Sequence, residues 1–260
     1  MVAYCSRQSR IVGRLPTTGE SNVSDLIPVS AETLTLLRKL SAATVSGLLS
    51  RRGFRRAWIA DARPIAAGTK MVGEAFTLRY IPAREDLDWT GALDNTTDAQ
   101  RVAIEQVGPG QVLTIDARGD ASSGSLGGIL ATRLRMRGAA GIVTDGAVRD
   151  YGEIGASGFP AFCQHGAAGA NKFIFHPVDF QVPIGCGGVA VFPGDIMTGD
   201  DDGVVVIPRH LAAEIAQEGA DNELKEQFIM TRINAGKSIV GTYPLDEAGL
   251  EEFKVWRAKR

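Results

Sequence analysis

The 260-residue sequence has few of the residues on which metal centres and disulfide frameworks depend. Its three cysteines, Cys5, Cys163 and Cys186, are too few and too widely spaced for a disulfide framework or a zinc site. The three histidines are also isolated from one another and are expected to be surface or core residues. These absences argue against a disulfide-rich secreted domain and a Cys/His zinc centre, and they favour a cytoplasmic protein.

Long apolar runs and an excess of one charge are absent as well. No apolar run approaches the ~20 residues of a membrane-spanning helix, and the N-terminus has no apolar segment typical of a secretory signal. The net charge of −2 gives no reason to expect nucleic acid or a membrane as partner. The Walker lysine motif is missing, and Gly124–Gly127 does not complete a nucleophile elbow.

What the sequence does contain is 31 glycines and an ordinary hydrophobic content of 44%, which suit a globular domain with many tight turns. Residues 1–27 lack apolar periodicity and are interpreted as an N-terminal arm. The main domain is assigned to residues 28–240. Residues 241–260 are expected to form a C-terminal tail with a short amphipathic helix around Phe253 and Trp256.

Helical and strand patterns alternate in the first half of the main domain. Ser30 and Ser41 are predicted to begin two helices, and a long helical stretch is predicted after Pro208. Strands are predicted at residues 71–80, 112–116, 140–143, 159–162 and 204–208, whereas residues 58–64 are expected to be irregular. This order predicts a layered α/β domain.

The most informative stretch runs from Gly124 to Asp150. A glycine-rich turn leads into a helix-like run, whose free N–H groups and positive dipole end favour a carboxylate or phosphate. After a short strand, Arg149 and Asp150 follow where α/β proteins tend to place chemistry. Such turns and Arg–Asp neighbours are also common without function. The alternatives are therefore a site with an Mg²⁺-binding carboxylate and an anion-binding arginine, or a plain turn with surface charges.

Two acidic segments have competing interpretations. Residues 83–99 form either a loop over a site or, somewhat more in keeping with their composition, a solvated loop. The triplet Asp200–Asp202 suggests a cation site but, between two strands, is most simply a turn.

One spacing carries a resemblance to a known family. Gly128 is followed, after twenty intervening residues, by Arg149-Asp150 and, after two more, by Glu153. Residues 137–150 and the segments 192–196 and 199–208 support the same pattern. The chain resembles, over roughly residues 30–240, the family of regulator-of-ribonuclease-activity-A-like (RraA-like) proteins, which includes the 4-hydroxy-4-methyl-2-oxoglutarate/4-carboxy-4-hydroxy-2-oxoadipate aldolases.

The resemblance implies a β/β/α-layered domain that assembles as a homotrimer or as a hexamer, a dimer of trimers, with sites between subunits. It implies that Asp150 binds Mg²⁺ or Mn²⁺ and that Arg149 contacts the pyruvate moiety. An acidic residue of a neighbouring subunit would support the waters of the metal; Glu223 matches best and Glu226 second. The turn amides that would receive the pyruvate carboxylate are those of Gly127, Gly128, Ile129 and Leu130.

The chain departs from many aldolases of this family at one position. They carry an acidic residue where this chain has Gly128, whereas other members have glycine there and an acidic residue three positions after the aspartate. Glu153 is that residue here, and we assign it to the metal site on this resemblance.

The function implied is that of a metal-dependent carbon–carbon lyase. It would cleave a 4-hydroxy- or 4-carboxy-2-oxo acid to pyruvate enolate, with oxaloacetate decarboxylation as a side activity. The alternatives are a non-catalytic regulator that binds a ribonuclease or helicase, and a lyase or dehydratase acting on a sugar-acid-derived 2-oxo acid.

Overall fold

The computed structural model describes residues 28–88 and 94–259, so the N-terminal arm assigned to residues 1–27 lies outside the described residues. The helices are α1 (Ala31–Leu37), α2 (Ala42–Arg51), α3 (Ala99–Gln106), α4 (Gly128–Met136), α5 (Tyr151–Ala156), α6 (Ala212–Asn234) and α7 (Glu247–Ala258). The strands are β1 (Trp58–Ile59), β2 (Arg63–Pro64), β3 (Met71–Pro82), β4 (Gln111–Asp116), β5 (Gly141–Thr144), β6 (Ala161–Cys163), β7 (Phe175–Phe180), β8 (Ile184–Cys186), β9 (Val189–Val191), β10 (Ile196–Asp200) and β11 (Gly203–Ile207). Short 3₁₀ turns lie at Asn171–Phe173 and Arg209–Leu211.

A mixed sheet of nine strands organises the domain. Its order is β1-β11-β10-β3-β4-β5-β6-β2, and β7 adds to β3 outside this path. Strands β3, β4, β5 and β6 are parallel neighbours, and the other pairings are antiparallel. The parallel run matters for function because the carboxyl ends of β4 and β5 then lie side by side at one edge of the sheet.

The two faces of the parallel strands are covered differently. On β4 and β5, Leu113 and Ile142 pack into a cluster with residues of α3, α4 and α5, whereas Val112 and Val143 belong to a second cluster with the β8–β9 hairpin. All four side chains are fully buried, so the alternation along each strand divides the core into two layers. The predicted layered α/β fold is therefore confirmed.

The remaining helices lie at the β10–β11 end of the sheet. α1, α2 and α6 share a third cluster with Ile196, Val205 and Ile207 of that end. Ser30 and Ser41 cap α1 and α2 as predicted, each accepting a hydrogen bond from the N–H three residues later. α7 packs on α6 through the rings of Phe228, Phe253 and Trp256.

Two strand predictions need correction. Residues 58–64, expected to be irregular, contain the two-residue strands β1 and β2, which pair with β11 and β6. Strand β7 was not predicted, because its sequence Phe-His-Pro-Val-Asp-Phe lacks clear alternation and contains proline. It is a strand because β10 pairs only with residues 71–74 of the twelve-residue β3, which leaves the same edge of β3 open at residues 78–82, where β7 pairs.

The acidic triplet Asp200–Asp202 begins at the last residue of β10 and forms the turn into β11, which was the simpler of its two interpretations. Asp200 accepts hydrogen bonds from the N–H groups of Asp202 and of Ala42 at the start of α2, and Asp201 accepts one from the N–H of Gly68. In the part of the chain that the structure describes, no helix has the length and apolarity needed to cross a membrane.

Candidate active site

The candidate site lies where the glycine-rich turn meets the segment after β5. Residues 124–126 and 147–149 run side by side: the Ser125 N–H donates to the carbonyl of Ala147 (2.8 Å), and the Arg149 N–H donates to the carbonyl of Leu126 (2.8 Å). These backbone bonds fix Arg149 and the residue after it beside the first turn of α4.

Gly124 is required for this close approach. A Cβ atom at that position would lie 2.5 Å from Cγ and 2.7 Å from the backbone nitrogen of Arg149. Both distances are too short for any side chain, so a larger residue at position 124 would separate the turn from Arg149. The glycine of the turn is thus explained by packing as well as by chain reversal.

Asp150 is held in an uncommon backbone conformation. Its φ of 56° and ψ of 36° place it in the left-handed region, which aspartate tolerates better than most residues. From there its Oδ2 atom accepts a hydrogen bond of 2.8 Å from the N–H of Gly128, the first residue of α4. The carboxylate therefore lies at the positive end of α4.

The next two amides of α4 remain available. Within the described ranges, the N–H groups of Ile129 and Leu130 donate to no protein acceptor, and the N-cap residue, Gly127, has no side chain to cap the helix. A Cβ atom at Gly128 would lie 3.2 Å from Cβ of Asp150 and 3.5 Å from Oε2 of Glu153. The carboxylate of Glu153 thus approaches the space into which an acidic side chain at position 128 would extend.

Arg149 is exposed, and no described residue hydrogen-bonds or ion-pairs with its guanidinium. It lines two hollows, one shared with Asp150 and one on the α3 side. A third hollow, beside α4, is lined by Gly128, Ile129 and Glu153. The structure therefore brings the predicted residues of the turn, Arg149, Asp150 and Glu153 to one open surface of the chain.

A buried aspartate holds the loops beneath this surface. Asp145 accepts hydrogen bonds from the backbone N–H groups of Ala117 (2.7 Å), Gly119 (3.0 Å) and Gly187 (2.9 Å). Burial raises the pKa of Asp145, and the three N–H donors oppose that rise. Sequence analysis missed this role, although an aspartate directly after a buried strand was a visible signal.

A second buried network holds the glycine-rich turn itself. The carbonyl of Ser125 accepts hydrogen bonds from the hydroxyl of Tyr80 (2.9 Å) and from the side-chain amide of Gln100 (2.7 Å), and Asn171 donates to Gln100 (3.0 Å). Burial raises the pKa of Tyr80 well above its ordinary value, so the phenol remains a donor. These three side chains were also missed, because nothing in their sequence context links them.

Glu223 and Glu226 lie on α6, away from the turn in the same chain. Glu223 Oε1 accepts hydrogen bonds from the hydroxyl of Thr44 (3.0 Å) and the N–H of Ser41 (3.4 Å) at the start of α2. Packing around its carboxyl and the nearby Glu223 carboxylate raise the pKa of Glu226. Whether either residue reaches Asp150 of a neighbouring chain stays a prediction.

The residues at the site fit a hard divalent cation that takes only one or two of its ligands from the protein. Among the described residues, no group of three or more His, Cys, Asp and Glu side chains is arranged to hold a metal. Mg²⁺, however, commonly binds through one or two carboxylates and keeps several waters. Asp150 and Glu153 are exposed residues, and their Oδ2 and Oε2 atoms lie 3.3 Å and 3.5 Å from the position of a Cβ atom at Gly128, so they are such a donor set.

Comparison with protein-family models matches residues 22–206 to the RraA-like family, described as aldolase/RraA. The chain belongs to this family. A solved structure of Streptomyces coelicolor RraAS2, described as an unusual member of the RNase ES inhibitor RraA protein family, superposes with a TM-score of 0.70 at 34% identity. The superposition covers 78% of this chain and 97% of that one.

Curated relatives of this RraA-like protein include enzymes. It is 34% identical over 113 residues to a 4-hydroxy-4-methyl-2-oxoglutarate aldolase of Thermus thermophilus, a match that covers 42% of this chain and 65% of the relative. It is 28% identical over 225 residues to protein DlpA of Legionella pneumophila, which covers 86% of this chain and 35% of that protein. The chain thus spans less than two thirds of the length of either relative.

Proposed function

We propose that this RraA-like protein is a divalent-metal-dependent lyase that cleaves the C3–C4 bond of a 4-hydroxy- or 4-carboxy-2-oxo acid. The observation that carries the proposal is the hydrogen bond from the first amide of α4 to Asp150, which sets a carboxylate beside two free amides, with Arg149 next to it in the chain. The aldolase among the relatives supports the same reaction class.

The α-carboxylate of the substrate binds at the start of α4. The free N–H groups of Ile129 and Leu130, together with the positive end of the helix dipole, receive its oxygens. This contact orients the neighbouring keto group toward Arg149. Because the amides belong to a helix, they need no rearrangement when the substrate binds.

Arg149 stabilises the charge that forms on the keto oxygen. When the C4 hydroxyl loses its proton, its oxygen forms a C=O bond with C4 and the C3–C4 bond breaks. The electron pair of that bond moves to C3 and the keto oxygen, so the products are the enolate of pyruvate and a second carbonyl compound that contains C4. In decarboxylation the C4 carboxylate leaves as CO₂ and delivers the same electron pair. A planar guanidinium donates to the developing oxyanion more strongly than to the neutral ketone.

Asp150 and Glu153 would hold Mg²⁺ or Mn²⁺, which supplies Lewis-acid polarisation of the substrate oxygens when bound. Glu153 Oε2 has a second role in the proposal, in which it accepts the C4 hydroxyl proton directly or through a water. The enolate is then protonated at C3 and leaves as pyruvate.

A homotrimer, or a hexamer built from two trimers, completes the site in this proposal. The site is open on the single chain, and Glu223 of a neighbouring chain would close it and orient waters there. Three-fold symmetry would give three equivalent sites, each with Asp150 from one chain and Glu223 from the next.

Mixing two inactive variants tests both the chemistry and the shared site. Asp150→Asn and Glu223→Gln are each expected to be inactive in a pyruvate-coupled assay over a panel of 2-oxo acids. Gln at 223 retains an acceptor for Ser41 and Thr44, so the fold is preserved. Unfolded and refolded together in equal amounts, the variants should recover roughly one quarter of wild-type activity, because a quarter of the sites pair two intact residues.

The alternative outcomes are separable. Wild-type turnover that persists in EDTA would contradict the metal, and a stable, active monomer in sedimentation would contradict the shared site. An absence of turnover with every 2-oxo acid would favour the regulator function, for which the RNase ES inhibitor family of RraAS2 gives a precedent. The regulator would then be tested by binding to a ribonuclease or helicase.

A further inference from the structure

A cavity of about 540 Å³ opens on the α3 side of Arg149. It lies between the first turn of α3, residues 170–172 and strand β7, and Arg149 and Arg101 both contribute to its wall. The volume is ample for a small organic acid. Arg149 lines this cavity as well as the hollow at Asp150, so the cavity borders the candidate active site.

The acidic side chains of the cavity already have partners. Asp88 accepts from His176 Nδ1 (2.9 Å) and lies 3.6 Å from Lys172 Nζ, and Asp98 pairs with the same lysine at 2.5 Å. Asp94 is exposed and accepts from the N–H and hydroxyl of Thr96. Because Lys172 already forms ion pairs with two carboxylates, it is not available to bind an anionic ligand.

The guanidinium groups of the two arginines in the cavity wall, unlike Lys172, form no ion pairs with described residues. The Nε atom of Arg101 is buried and, within the described part of the chain, has no hydrogen-bond partner. Within the described residues, neither the guanidinium of Arg101 nor that of Arg149 forms an ion pair or a hydrogen bond. A buried guanidinium nitrogen without an acceptor is costly, and the cost is removed if a ligand supplies the acceptor.

The position of Arg101 is fixed by the network that holds the active-site turn. Its neighbour Gln100 is buried and donates to the carbonyl of Ser125, and the N–H of Arg101 donates to Asp98 at the cap of α3 (3.1 Å). The backbone of Arg101 is therefore rigidly connected to the turn that begins α4. The backbones of the two arginines are therefore held at a fixed separation, to which a ligand that bridges them must fit.

We propose that Arg101 binds a second anionic group of the substrate, at the end distant from the reacting 2-oxo acid. This proposal rests on the proposed function, in which Arg149 holds the reacting end. It makes Arg101 the residue that selects 2-oxo acids with a distal carboxylate over those that end in an apolar group.

Calorimetric binding with a matched pair of ligands tests the proposal without turnover. 2-Oxoglutarate and 2-oxovalerate have the same five-carbon chain, but only the first ends in a second carboxylate. Neither is cleaved in the proposed reaction, because neither has a C4 hydroxyl or a carboxylate β to the keto group. In the presence of Mg²⁺, the wild type should bind 2-oxoglutarate about tenfold or more tightly than 2-oxovalerate. Arg101→Gln should remove this difference and leave the affinity for 2-oxovalerate unchanged.

Two further variants serve as controls. Arg101→Lys should retain part of the discrimination, because it keeps the charge but not the planar fork. Arg135→Gln removes an exposed arginine of α4 that lines no part of the cavity, and it should bind both ligands as the wild type does. Thermal melts of all variants establish that they are folded.

The proposal is overturned if the wild type binds both ligands equally or neither, or if Arg101→Gln still prefers 2-oxoglutarate. Its failure is distinct from failure of the proposed function. Lyase turnover without charge discrimination would refute only the Arg101 subsite. Discrimination that depends on Arg101, without turnover of any 2-oxo acid, would refute the lyase and retain the subsite.

Discussion

Asp150 combines an uncommon backbone conformation with the contact on which the proposed chemistry depends, so two substitutions there separate structure from function. Asp150→Asn keeps a residue that tolerates the left-handed region and an oxygen that can accept from Gly128 N–H. Asp150→Ala loses both. Neither variant retains the negative charge that would hold a divalent cation.

The stability effects follow from the geometry. In the alanine variant, the lost hydrogen bond at the helix N-terminus should cost about 1 kcal/mol, and left-handed alanine about 1 kcal/mol more. The asparagine variant should lose less than about 1 kcal/mol, since only the charge–dipole attraction is removed. Asp61 offers a matched control, because it is exposed, has a φ of 60° and lies apart from the site. Asp61→Ala should therefore show only the loss of unfolding free energy that comes from placing alanine in the left-handed region.

The activity effects should not follow this order. Both Asp150 variants should lose about 10³-fold in kcat for oxaloacetate decarboxylation with Mg²⁺, because each removes the carboxylate on which the cation depends. Urea unfolding and steady-state kinetics at fixed Mg²⁺ measure the two effects on the same preparations. Asparagine turnover above a tenth of the wild-type value would refute the assignment of Asp150 to the metal. Equal stability of the two variants would refute the role given to its backbone.

Three further predictions concern single residues. Arg149→Lys should reduce kcat for oxaloacetate decarboxylation by ~10²–10³ with an unchanged melting temperature, since it loses the two-pronged donor; equal kinetics would remove Arg149 from the mechanism. Glu153→Gln should lower kcat/KM by about 10–100-fold, and adding Gly128→Asp should restore part of it, because the new carboxylate enters the same space; further loss in the double variant would contradict this. Burial raises the pKa of Asp195 to about 6 from an ordinary 3.8, so the folded state favours its neutral form. The wild type should lose about 3 kcal/mol of unfolding free energy relative to Asp195→Asn as the pH rises from about 4 to above 6, and parallel pH profiles in urea unfolding would disprove the effect.

The sequence alone determined the parts of the fold that depend on local pattern. Serine caps followed by apolar periodicity located α1 and α2, and short apolar runs between turns located β4 and β5. The spacing from Gly128 to Arg149-Asp150 also identified the turn and the segment that face each other, because it reflects one strand–helix unit whose geometry is local. The α/β class and the family were therefore accessible before any coordinates.

Only the tertiary structure decided what holds and extends the site. β7 is a strand because the free edge of β3 pairs with it, although its own residues do not alternate. Asp145 and Tyr80 support the site through partners that lie 28 and 45 residues away in the chain. Arg101 borders a cavity with Arg149 because α3 and the segment after β5 pack beside the same turn. Contacts of this kind depend on how the chain is packed, and a local pattern carries no record of them.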